Sequence, residues 1–76
     1  MNKNRRELLK KASGLLNTAS GLVSSALDGE EDALDNVPEN LQSSEQYEKR
    51  ENIVDCLNDA SDSIDTAIER IKEAIA

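Results

Sequence analysis

The two halves of this chain carry the same seven-residue beat, as mirror images about the middle of the sequence. Leu8, Ala12, Leu15, Ala19, Leu22 and Ala26 recur at alternating spacings of four and three, and Ile53, Leu57, Ala60, Ile64, Ala67 and Ile71 do the same. Folding the chain near Asn40 sets the two series against each other so that facing residue numbers sum to 79 at every layer, from Leu8 with Ile71 to Ala26 with Ile53. Large residues then meet large ones, and alanine meets alanine, in every layer but the last. Such a period keeps one edge of a helix apolar along its whole length, so the pattern predicts two long helices packed antiparallel along an alanine-rich seam. The expected fold is all-α: one hairpin over residues 1–76, with helices over about 4–35 and 44–75 and a connector at 36–43.

Local signals set those bounds. Asp35-Asn36-Val37-Pro38 ends the first helix, because the residue before a proline is pushed away from helical angles. Ala33 keeps the beat of Ala12, Ala19 and Ala26, so the first helix is expected to run past Gly29, the one place where a glycine would otherwise end it early. Pro38 to Gln42 has room for one helical turn. The second helix is expected to start at Ser43 or Ser44, where Ser43 and Gln46 have the spacing of a capping box.

A hairpin alone leaves this sequence unfinished. Beside the predicted seam runs a second apolar column, Leu9, Leu16 and Val23 on the first helix with Val54, Ile68 and Ile75 on the second. Full burial of an aliphatic side chain is worth roughly 1.5–3 kcal/mol, and a chain this short has little stability to forgo. Covering the column with a second copy gives a four-helix bundle, so these six residues are the expected oligomer interface. On this reading Leu15→Asp abolishes folding, whereas Leu16→Asp mainly disrupts association.

The outer face of the first helix is unusual. The second helix turns Asp55, Asp59, Asp62, Asp65, Glu69 and Glu73 to solvent, but the first carries Ser13, Gly14, Asn17, Ser20, Gly21 and Ser24, with no charge between Lys11 and Asp28. An interior glycine costs a helix about 1 kcal/mol relative to alanine, so two of them seven residues apart point to close approach of another surface. These six residues are the expected face for a partner or ligand, the simplest occupant being another copy in a larger assembly.

Composition removes most chemistry. The chain has no histidine, phenylalanine or tryptophan, and Tyr47 is its only aromatic. It therefore lacks the usual proton shuttle, the commonest metal ligand and the platforms on which bases stack. No catalytic signature is present, and the expectation is a protein that is not an enzyme and uses neither cofactor nor metal. Asp28-Gly29-Glu30-Glu31-Asp32 lacks the ligand spacing of a helix-loop-helix calcium site, and a carboxylate-bridged iron pair needs a Glu-x-x-His that this chain cannot supply. A lone Cys56 excludes an internal disulfide and agrees with a reducing compartment.

Charge is uneven. Lys3, Arg5, Arg6, Lys10 and Lys11 against Glu7 give the first 11 residues +4, which leaves −11 of the total −7 to the other 65. Bulk acidity disfavours nucleic acid and favours basic protein partners. The five cations are candidate phosphate contacts, although the hairpin also brings Glu69 and Glu73 to the same end, where ion pairing is the plainer expectation. The uncharged stretch from Ala12 is broken by Asn17, Thr18 and serines and is shorter than a membrane span. A cytosolic protein is expected.

The connector carries a resemblance. Asn36-Val37-Pro38-Glu39-Asn40-Leu41-Gln42, followed by Ser44-Glu45 and Tyr47-Glu48, resembles the connector in a family of short, acidic, mostly helical proteins encoded by phages and prophages. The specific likeness covers about a dozen residues, with Asn36, Pro38, Glu39, Gln42, Ser44 and Tyr47 its candidate contact positions. It implies a small phage accessory protein in the cytoplasm of a host cell, and no activity comes with it. In that setting two functions are expected to compete. One is a stoichiometric inhibitor or sponge that captures a host defence protein or a nucleotide signal. The other is a structural module that only assembles with itself.

Overall fold

The computed structural model describes all residues from 1 to 76 and is all-helical, with no strands. Helix α1 spans Lys3–Asp35 and helix α2 spans Glu45–Ile75, and the two pack along one another as a hairpin. The molecule is a rod of 59 × 15 × 14 Å, as two helices of about 30 residues require at 1.5 Å per residue. No helix is long and apolar enough to cross a membrane.

The N-terminus of each α-helix is capped by a short polar side chain. Asn2 caps α1, its Oδ1 accepting from the Arg5 amide at 2.8 Å. α1 continues through Gly29 with helical backbone angles and stops at Asn36, whose amide reaches the Asp32 carbonyl at 3.1 Å. Pro38, with no amide hydrogen to give and a carbonyl that accepts from Leu41 at 2.9 Å, opens a single 3-10 turn at Glu39–Leu41. Ser44, and not the expected box of Ser43 with Gln46, then starts α2, its hydroxyl accepting from the Tyr47 amide at 3.2 Å. An N-cap serine that holds one of the four orphan amides is worth about 1 kcal/mol.

The seam of the hairpin corrects the sequence reading on one helix. On α2 the predicted positions Leu57, Ala60, Ile64, Ala67 and Ile71 are half-buried, and Val54, Ile68 and Ile75 join them. On α1 the half-buried apolar and serine positions are Leu9, Ser13, Leu16, Ser20, Val23, Leu27 and Leu34, with the expected seam residues Ala12 and Ala19 and the neighbouring Ala33 half-buried beside them, whereas Leu8, Leu15 and Leu22 are 67, 72 and 69% exposed. The leucine columns of α1 have therefore exchanged roles, while Ala12 and Ala19 stay at the margin of the seam. Leu9, Leu16 and Val23 hold the hairpin together, and the leucines expected in the seam face solvent.

The reason lies in the last third of α1. Leu27 and Leu34 continue the Ser13 and Ser20 positions at seven-residue steps, and Val37 continues Leu9, Leu16 and Val23 past Glu30, so the two-column seam stays largely apolar to the connector. The Leu8 column ends at Leu22 and continues as Gly29 and Asn36. A long helix turns its longest apolar stripe towards its neighbour, because burial per residue decides the rotation. The half-buried positions now pair at a sum of 84: Ser13 stands level with Ile71, Leu16 with Ile68, Ser20 with Ile64 and Val23 with Ser61. Two cross-helix hydrogen bonds bracket that register, Arg6 Nη1 donating to the Ile75 carbonyl and Ser20 Oγ to Asp65 Oδ1 at 3.5 Å. Ser13 and Ser20 on α1 meet isoleucines on α2, which lets the helices approach despite the bulk of isoleucine.

Candidate functional site

Only one side chain, Ile68 at 7% exposure, is buried in the hairpin. Ile68 sits mid-seam on α2, level with Leu16, where both helices contribute large apolar groups. Every other seam residue keeps one flank in water, because two helices enclose only a line of contact and not a core.

The exposed leucines are the main unsatisfied surface. Leu8, Leu15 and Leu22 repeat every seven residues and so lie along one edge of α1, with Ala12, Ala19 and Ala26 between them. In an antiparallel pair, residues that precede seam positions on both helices fall on the same side. Leu8 precedes Leu9 on α1; Ile53, Ala60, Ala67 and Ala74 precede Val54, Ser61, Ile68 and Ile75 on α2. That side is therefore leucine-ridged along α1 and alanine-floored along α2, with Ile53 adding 44% exposure near the connector. Each leucine on it holds back most of the roughly 1.5–3 kcal/mol that full burial returns. Scattered apolar residues would need no explanation, whereas a regular stripe of this length does.

The residues expected to cover the hairpin are thus placed differently. Val54, Ile68 and Ile75 belong to the same internal seam as Leu9, Leu16 and Val23, so none of these six is free to form an outer column. The signal that identifies the exposed column was present in the phase of Leu27, Leu34 and Val37.

The small-residue face divides. Ser13 and Ser20 are half-buried in the seam, whereas Gly14, Asn17, Gly21 and Ser24 are exposed. A Cβ added at Gly14, Gly21 or Gly29 would meet nothing within 4 Å, so no close approach inside the hairpin explains these glycines. Thr18 Oγ1 returns to the Gly14 carbonyl at 3.3 Å, the usual local bond of a helical threonine.

At the open end, the expected pairing of the N-terminal cations with Glu69 and Glu73 does not form. Glu69 pairs with Lys72 at 3.7 Å and Glu73 with Arg70 at 2.6 Å, both within α2, and Lys10 pairs with Glu7 at 3.8 Å. Arg6 instead donates to the Ile75 carbonyl at the end of α2, where the helix dipole and unsatisfied oxygens favour a cation. Lys3, Arg5 and Lys11 form no ion pair. A shallow concavity lined by Asn4, Glu7, Leu8, Lys10 and Lys11 joins this basic end to the first exposed leucine.

Two connector side chains, Gln42 and Ser44, bond within the turn itself. Asn36 ends α1, the Gln42 amide nitrogen donates to the Val37 carbonyl at 3.4 Å, and Ser44 Oγ donates to the Leu41 carbonyl at 2.7 Å. Tyr47 is half-buried beside Val37, Pro38 and Leu41 in a shallow notch, and Glu39 is exposed. No three His, Cys, Asp or Glu side chains gather as a metal-holding group, and Cys56 is exposed. No protein-family model, curated protein or solved structure matches the chain.

Proposed function

We propose that this chain is a non-catalytic binding protein that works as an assembled helical bundle, with the exposed leucine edge of α1 as its working surface. The observation that carries the reading is the alignment of Leu8, Leu15 and Leu22 at about two-thirds exposure or more, on a hairpin that buries a single side chain. Helices with such an edge associate through it, because association recovers burial that the hairpin cannot supply. In the phage setting implied by the connector, the bundle acts by stoichiometric capture of a host defence protein or a nucleotide signal. Its potency then follows its concentration and dissociation constant, without turnover. The unpaired Lys3, Arg5 and Lys11 support an anionic target at the open end, where lysine and arginine form charge-assisted hydrogen bonds to phosphate.

Assembly without a ligand is the second reading, supported by the connector, where Gln42 and Ser44 bond within the turn. Native mass spectrometry of the protein from a host that produces it separates the two. An oligomer carrying a nucleotide-sized or protein adduct is expected for capture, and a bare oligomer for assembly alone. A monomer at tens of micromolar would contradict both.

A further inference from the structure

Resting on the proposed role of the leucine edge, we infer that its occupant is a second copy of this chain laid antiparallel to the first, with the open end of each rod over the connector end of the other.

Two independent features point to that orientation. The first is the column itself. Read in reverse against its own copy, it places Leu8 level with Ala26, Ala12 with Leu22, and Leu15 with Ala19, so a large residue meets a small one at every layer. The same operation carries the alanine floor of α2 onto itself, with Ala60 level with Ala74 and Ala67 with its own counterpart. Leucine ridges then meet between the two α1 helices, and the α2 helices approach through alanine alone, which is how antiparallel helices reach close spacing.

The second feature is charge. Residues 1–11 and 66–76, at the open end, carry seven cations against three carboxylates, a net of +4. Residues 28–54, around the connector, carry nine carboxylates against two cations, a net of −7. A parallel pair would stack like ends on each other, whereas the antiparallel pair lays each basic end over an acidic one. In the column's register the Lys3 of one copy, which has no ion pair in the hairpin, stands level with Glu31 of the other, and Arg6 with Asp28. These positions share a level but not the leucine face, so the preference is one between whole ends and is expected to weaken as salt rises.

The test uses the full chain with Cys56→Ser, and Asn52→Cys as the sole site for a spin label on the exposed face of α2. Asn52 lies far from the two-fold axis of the antiparallel pair, about 30 residues of helix rise from its counterpart, so the label-to-label distance is expected at about 45 Å or more. A parallel pair holds the two labels within about 30 Å, less than the length of either helix. A dimer with the short distance would overturn the antiparallel orientation and leave the leucine edge standing as the binding surface. Absence of any dimer by sedimentation at concentrations where the label is read would overturn both.

Discussion

The two helices of this hairpin have nearly equal lengths, 33 and 31 residues, yet they use their apolar residues in opposite ways. α2 gathers both of its columns into one broad arc facing α1, so its large aliphatic groups are half-buried or better, apart from Ile53. α1 splits its columns, turning Leu9, Leu16 and Val23 inward and leaving Leu8, Leu15 and Leu22 outside. The difference comes from what lies between the columns. On α2 the intervening seam positions are Leu57, Ile64 and Ile71, so the arc is continuous. On α1, beside the exposed leucines, they are Ser13 and Ser20, narrow enough to let α2 approach but too small to draw the outer leucines in with them. The hairpin covers almost all of the large apolar residues of α2 and leaves three leucines of α1 in water.

Substitutions at neighbouring positions break this comparison most sharply. Leu16→Asp places a charge opposite Ile68 and removes a large seam group, a cost of about 3 kcal/mol or more; circular dichroism in urea is expected to show loss of the cooperative transition. Leu15→Asp, one residue away, is expected to keep the helical signal while raising the dissociation constant of the assembly about 100-fold, as two lost leucine contacts per interface imply. Sedimentation equilibrium reads that change. If Leu15→Asp unfolds the chain and Leu16→Asp does not, the columns are assigned in reverse.

Smaller effects sharpen the same contrast. Ser44→Ala is expected to destabilise the hairpin by about 1 kcal/mol in urea melts, since the Tyr47 amide loses its only cap. Gly14→Ala and Gly21→Ala each meet open space and helical backbone angles, so each is expected to stabilise the isolated hairpin by about 0.5–1 kcal/mol. A drop in association on either glycine change would show that a second surface comes close to α1 there.

Much of this architecture is legible in the residues. Pro38 and the residue before it stop the first helix, a serine starts the second, and the heptad beat gives the antiparallel hairpin. The rotation of α1 is where the reading went astray. A symmetric match of Leu8 with Ile71 and Ala12 with Ala67 fits the first 26 residues, but the hairpin is decided over the whole helix, and Leu27, Leu34 and Val37 favour the neighbouring phase by one residue. Matching large with large also looked persuasive, whereas the seam sets serine against isoleucine. Ion pairing at the open end was misplaced for a different reason: Arg70 and Lys72 lie one turn from Glu73 and Glu69 on the same helix and reach them first.

The central claim is that the outer leucines, and not the inner ones, meet another molecule. Mixing isotope-labelled and unlabelled chains and recording filtered methyl contacts across the interface tests it directly. The account predicts intermolecular contacts from the methyl groups of Leu8, Leu15 and Leu22 and none from Leu9 or Leu16. Intermolecular contacts from Leu9 and Leu16, with Leu15 touching only its own chain, would contradict it.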